Sequence, residues 1–208
     1  MTEPARKVYT YEDILALDEK LHAELLDGMI YIDGVPLGSV VPTVGMAPAQ
    51  LPRHAKSQRV LGKIIGGPFD DDHGDGGPGG WWIFIEVDVL LASGTVRPDL
   101  SGWRRERLPQ PDVRPIATRP DWVCEIISPT SIRQDRVAKR RAYAKAGIPH
   151  YWIVDPDART LEALELQSDR WLEVGTWSEG DVARIAPFEP VEVPVGRLFL
   201  PPETRPEG

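Results

Sequence analysis

Cysteine is almost missing from this 208-residue chain, with Cys124 the single example. One thiol excludes an intramolecular disulfide and any zinc site built from several thiolates. No apolar run nears the ~20 residues that cross a bilayer. The N-terminus lacks the apolar stretch of a secretory leader, so the expectation is a cytoplasmic protein with no membrane partner. Positive charge is also short, with 24 Lys and Arg against 32 Asp and Glu, a net charge of −8. That balance weighs against a sequence-independent nucleic-acid binder, because phosphates demand a positive surface. It leaves room for an enzyme that clusters carboxylates around a cation and gathers its basic residues on one face.

What the chain does have is turn-forming residues and a core. Its 21 prolines and 19 glycines imply many turns and some long loops. Hydrophobic residues at 41% and charged residues at 27% fit a globular protein. The length suits one domain over 1–208 and is enough to bury a sizeable core.

Local patterns place the elements. A short helix is expected over 10–19, opened by a capping box from Thr10 to Asp13. Residues 24–32 read as a hairpin, with Asp27-Gly28 supplying positive φ at its turn. A Pro/Gly-containing stretch follows from Gly34 to Pro52. A helix is then expected over 52–65, ending at Gly66-Gly67. Residues 68–80 carry no core-forming pattern and read as a mobile loop. The Asp and His residues in it lack a fixing framework, so disorder is preferred there over a metal site. Strands are expected over 81–91 and 95–100, followed by a polar, arginine-rich connection to Pro120. Trp122 to Ile127 reads as a strand buried on both sides. A helix over 131–146, capped by Gly147, precedes another buried strand over 151–155. A hairpin over 160–167 and 170–177, short strands near 182–186 and 191–199, and a loose tail over 201–208 complete the pass. The order of elements defines an α+β protein with a central mixed sheet, helices packed on it and additional hairpins.

Three residues stand out chemically. Glu125 shares a strand face with Val123 and Ile127, and a buried carboxylate must have a partner. That partner is either an arginine or a cation shared with another acid. Asp99 lies on the preceding strand region, so the two acids can converge on one hard cation such as Mg²⁺ or Mn²⁺. Taken alone, Asp99 reads equally as a turn aspartate. Lys139 shares a helical stripe with Ile132, Asp135, Tyr143 and Ala146. It is either half of a solvated Asp135–Lys139 surface pair or an ammonium aimed at the carboxylates. Trp81, Trp82, Trp122 and Trp152 read as core or interface residues, Cys124 as a buried apolar residue, and Arg104, Arg105 and Arg107 as a solvated loop.

Several segments together carry a resemblance. They are Pro98-Asp99, Glu125 through Ser131, Asp135 through Lys139, and Tyr143 through Pro156. Upstream, Glu24-Leu25-Leu26-Asp27-Gly28 and His54 add to them. This pattern closely resembles the Uma2 (DUF820) family of restriction-endonuclease-like proteins over about 20–175, most specifically over 123–156. The resemblance implies a PD-(D/E)xK nuclease fold and divalent-metal hydrolysis of nucleic acid, with DNA the expected substrate. It makes Asp99 the first motif acid, Glu125 the second and Glu86 a further acid near the metal. It also marks Glu24 and His54 as auxiliary positions. The superfamily pattern places a lysine two residues after Glu125, where this chain has Ile127. Lys139 is the implied substitute.

The working reading is therefore a Mg²⁺- or Mn²⁺-dependent endonuclease in which Asp99, Glu125 and Glu86 bind metal and Lys139 assists. A catalytically inactive nuclease-fold module for binding or assembly is the alternative. A hydrolase of small phosphoesters is a third. Aromatic-rich strands offer a face for a homodimer.

Overall fold

The computed structural model describes residues 7–18, 21–38, 51–70, 77–111, 113–128, 131–132 and 134–201. Most of the expected loop tip (71–76), much of the Pro/Gly-containing stretch (39–50) and the tail from 202 onward lie outside the described residues.

The chain opens with helix α1 (Tyr11–Leu15), where the Thr10 N–H donates to the Asp13 carboxylate at 2.8 Å. Strands β1 (Ala23–Leu26) and β2 (Met29–Ile32) pair antiparallel, and the short β3 (Val35–Pro36) pairs with β2. Asp27 and Gly28 both have positive φ, 48° and 74°, as a two-residue hairpin turn of this kind requires. A second Asp-Gly turn, Asp33-Gly34, repeats the device between β2 and β3.

Helix α2 (Leu51–Phe69) runs past Gly66-Gly67, where the sequence predicts its end. Two helical glycines cost about 2 kcal/mol together. Burying Phe69 gains about as much or more, and its ring lies 4.7 Å from that of Phe188 in the core. Tertiary packing thus carries the helix one turn further.

The predicted strand over 81–91 is broken. Strand β4 (Trp81–Ile85) ends at Glu86, whose φ of 51° turns the chain out of the sheet. Strands β5 (Val89–Leu91) and β6 (Gly94–Val96) form a separate small hairpin. The arginine-rich connection is also corrected, because its first residues form β7 (Leu100–Arg104), an interior strand. Arg105 and Arg107 are anchored to Asp70 and Asp121, and Arg104 is exposed.

The central sheet is completed by β8 (Trp122–Ile126), β9 (His150–Asp155), β10 (Thr160–Gln167) and β11 (Arg170–Ser178). Its order is β11-β10-β9-β8-β7-β4. Strands β8 and β9 are parallel and the other pairs antiparallel, so the sheet is mixed as expected. A parallel pair needs a crossover, and residues 131–148 supply it. A π-helical turn (Gln134–Lys139) runs directly into α3 (Arg140–Lys145). Gly147, with φ 72°, closes α3. Its N–H donates to the Ala144 carbonyl and that of Ile148 to Tyr143, a Schellman end. Two short strands, β12 (Val182–Ala183) and β13 (Val193–Pro194), and a 3₁₀ turn (Val195–Leu198) follow. The segments expected as strands near 182–186 and 191–199 are therefore mostly irregular. They still bury Ile185, Phe188, Val195 and Leu198.

Each face of the sheet has its own core. One packs Leu61, Ile65 and Phe69 of α2 against Trp122, Trp152 and Phe188. The other packs Ala142 and Tyr143 of α3 against Val123, Tyr151 and Trp103. Along β8, alternate residues serve the two cores, which is why every residue of that strand is buried.

The β1–β2 hairpin is fixed to the β5–β6 hairpin through the main chain. The Asp27 N–H donates to the Ser93 carbonyl at 2.7 Å. Gly94 has φ 137°, and a Cβ there would overlap the Leu25 carbonyl oxygen. Gly94→Ala is therefore expected to cost about 1–3 kcal/mol, seen as a lower urea midpoint. An unchanged midpoint would mean that the two hairpins do not touch there.

Candidate active site

Glu125 projects from β8 on the α3 side of the sheet, between Val123 and Ile127, and is 1% exposed. Its partner is not an arginine but the ammonium of Lys139, which two further acids share. Lys139 Nζ lies 3.0 Å from Glu125 Oε2, 3.0 Å from Glu24 Oε1 and 3.4 Å from Asp135 Oδ1. The Tyr143 hydroxyl donates to Glu125 Oε1 at 2.5 Å. The solvated Asp135–Lys139 pair is thus overturned, since both residues are buried. The rest of the predicted stripe holds except Ile132, which is exposed.

The π turn explains how so many side chains reach one place. In an α-helix, residues five apart point about 140° away from each other. The wider π turn brings such positions nearer to one face. Gln134, Asp135 and Lys139 are consequently all buried together. Gln134 Nε2 donates to Glu24 Oε2 at 2.7 Å, and the Arg97 N–H donates to Glu24 Oε1 at 2.7 Å. Glu24 therefore ties the β1 hairpin to the π turn and to the chain after β6.

Asp99 sits in the bend that enters β7, and Leu100 is paired with Cys124 of β8. This places Asp99 beside the end of Glu125's strand. Its Oδ2 accepts the Ile126 N–H at 2.6 Å, and its Oδ1 lies 3.1 Å from His54 Nε2 of α2. Gln58, one turn further along α2, donates to Glu86 Oε1 at 2.9 Å and to the Asp99 carbonyl at 3.3 Å. Glu86 itself is exposed at the rim.

All six residues singled out from the sequence, Glu24, His54, Glu86, Asp99, Glu125 and Lys139, line one cavity of about 330 Å³. Sequence reasoning did not assign Gln134, Asp135 or Ser131, which line it too, nor Tyr143 behind it. Asp135 and Tyr143 lay on the Lys139 stripe, which was the available signal. Nothing local marks Gln134, whose placement depends on the π turn.

The electrostatics follow from burial. Desolvation pushes the Glu125 carboxyl well above the usual range, Lys139 opposes this, and Asp135, Asp99 and Glu24 reinforce it. Burial also lifts Asp135, against the pull of Lys139, to about 6. At Asp99 burial acts upward as well, but His54, Lys139 and the Ile126 N–H prevail and hold the carboxyl below its usual range. Lys139 resists its own desolvation because Glu125, Glu24, Asp135 and Asp99 surround it, and it stays well above an ordinary lysine. Burial likewise opposes the His54 imidazolium, yet Asp99 keeps its affinity for a proton above the ordinary value.

Four buried carboxylates thus face one ammonium and one imidazole. The surplus of hard, anionic oxygens fits a hard divalent cation in charge and donor type. Among the described residues, however, no three His, Cys, Asp or Glu side chains converge as a ready-made cation cage. Lys139 occupies the centre of the group made by Glu24, Glu125 and Asp135.

This architecture is shared with a solved structure. A crystal structure described as that of a putative nuclease belonging to DUF820, from Anabaena variabilis ATCC 29413, superimposes with a TM-score of 0.65. The match covers 91% of this chain and 96% of that one at 19% identity, a likeness that speaks to fold alone. The Uma2 family model, described as "Putative restriction endonuclease", matches residues 9–196, and the chain belongs to that family. No curated protein matches it. Among the described residues no helix is long and apolar enough to cross a membrane.

The shift at Asp135 gives a direct prediction. The ordinary value for this carboxyl in the unfolded chain is about 3.8, and burial in the fold lifts it to about 6. The folded state holds the proton more tightly, so the contribution of Asp135 to stability is full below the lower value and is lost as pH rises through the upper one. Asp135→Asn stays neutral throughout and should gain stability relative to wild type between about pH 4 and pH 7. Urea unfolding at several pH values measures this, and a difference that does not grow with pH contradicts it.

Proposed function

We propose that this protein is an endonuclease that hydrolyses phosphodiester bonds of nucleic acid, with DNA as its substrate and Mg²⁺ or Mn²⁺ as its cofactor. The observation that carries this reading is the single cavity shared by Asp99, Glu125 and Lys139, in a chain of the Uma2 family. Asp99 and Glu125, with Glu86 at the rim, are the residues that would hold the cation. A divalent ion, when bound, supplies Lewis acidity to the phosphate and a more acidic water.

The protein's own side chains do the positioning. His54 and the Ile126 N–H fix the two oxygens of Asp99, and Tyr143 orients Glu125. Gln58 steadies Glu86 at the mouth. Lys139 contributes a preorganised positive charge next to the reacting phosphate. There it stabilises the extra negative charge of the pentacovalent state as the 3′-oxygen leaves. An ammonium on the helix after Glu125 takes the role that a lysine in place of Ile127 would have.

The test is cleavage of plasmid and single-stranded DNA with Mg²⁺ or Mn²⁺. Glu125→Gln and Asp99→Asn are each expected to lower the rate at least about a hundredfold, the scale of losing one preorganised electrostatic group. Equal trace activity in wild type and Glu125→Gln would defeat the proposal.

One observation favours a second reading, a nuclease-fold module without turnover: Lys139 is already engaged by three carboxylates. Calorimetric titration with Mn²⁺ separates the two. Binding that disappears in Asp99→Ala supports the enzyme, and no binding at all supports the module.

A further inference from the structure

An ammonium has three N–H donors and no more. Carboxylates of Glu24, Glu125 and Asp135 ring Lys139 Nζ within 3.4 Å, and it donates a hydrogen bond to Glu125 Oε2. Buried and enclosed by three acids, the ammonium has no open side for a phosphate oxygen. For it to reach a bound strand, one carboxylate must give up its place.

The three acids are not equally free to do so. Glu24 is pinned from other directions by Gln134 and by the Arg97 N–H. Glu125 is held by Tyr143 and lies on an interior strand of the sheet. Asp135 makes the longest of the three contacts, 3.4 Å against 3.0 Å. Its other side-chain partner is the Ser131 hydroxyl, which also lines the cavity. Asp135 also belongs to the π turn, a geometry that tends to mark functional positions in helices.

We propose that Asp135 is the displaceable partner of Lys139, a positioning residue that completes the ammonium's shell in the free protein and yields to a phosphate oxygen of the bound strand. The inference rests on the nuclease reading for the identity of that strand. It makes Asp135 a determinant of substrate affinity rather than a group that touches the reacting atoms. A neutral Asn can still accept from Lys139 and keep it in place, but it is exchanged more readily, because hydrogen bonds to charged groups are stronger than neutral ones.

The experiment measures binding of a fluorescein-labelled single-stranded oligodeoxynucleotide by anisotropy, with Ca²⁺ replacing Mg²⁺. Circular dichroism verifies the fold of each variant. Asp135→Asn is expected to bind about fivefold to tenfold more tightly than wild type. In Mg²⁺ its KM should fall in step while kcat changes by less than about threefold. Asp33→Asn is the control, since Asp33 lines the same cavity without contacting Lys139. It should shift affinity by less than about twofold. Equal tightening in Asp33→Asn would mean a general loss of repulsion and overturn the proposal. Unchanged or weaker binding by Asp135→Asn, or no binding by any variant, would overturn it as well. Binding without cleavage, with the Asp135→Asn gain present, leaves this inference standing while the nuclease reading falls.

Discussion

Among the described residues, Lys139 is the one buried lysine or arginine, and it sits among the four buried carboxylates of the site. Taking a lysine out of water costs several kcal/mol, and so does burying each acid. Coulomb attraction offsets these costs only when the charges are held close, at distances near 3 Å like those observed here. Leaving such charges without their partner typically costs about 3–5 kcal/mol. The ammonium therefore links three elements of the fold, one of them more than a hundred residues away in sequence. These are the β1 hairpin through Glu24, the interior strand β8 through Glu125, and the π turn through Asp135.

The surrounding fold serves to hold these carriers still. Strand β8 is buried on both faces, so the position of Glu125 is set by two hydrophobic cores at once. The parallel β8–β9 pair forces a crossover at the end of β8, and that crossover brings Lys139 back over the acid. Strand β7 delivers Asp99 to the same end of the sheet, and α2 closes the cavity from the opposite face with His54, while its Gln58 holds Glu86. The negative surplus that remains is the physical basis for expecting a divalent cation. The position of Lys139 is the reason that no cage of three acids stands ready for one.

Much of this was legible in the residues. Alternation along 122–127 placed Glu125 on a buried strand, Asp27-Gly28 placed the hairpin turn, and Gly147 placed the end of α3. The six candidate site residues all reached one cavity, although their roles stay proposals. Other features were hidden for physical reasons. Residues 100–104 contain Ser101, Gly102 and Arg104, weak strand formers that become a strand because β4 and β8 flank them. The break at Glu86 depends on a positive φ that a glutamate rarely adopts. An acid four residues before a lysine looks the same on a wet helix and a buried one. Only the contacts with Glu125 on the neighbouring strand and with the distant Glu24 decide between them.

The most direct test of this account is the state of the Lys139 side chain itself. Lysine-selective ¹⁵N NMR, assigned with Lys139→Arg, reports on the Nζ group. The account predicts a charged ammonium with slowly exchanging protons that keeps its charge well above the pH at which surface lysines titrate. A Lys139 signal that exchanges and titrates like an exposed lysine would contradict it.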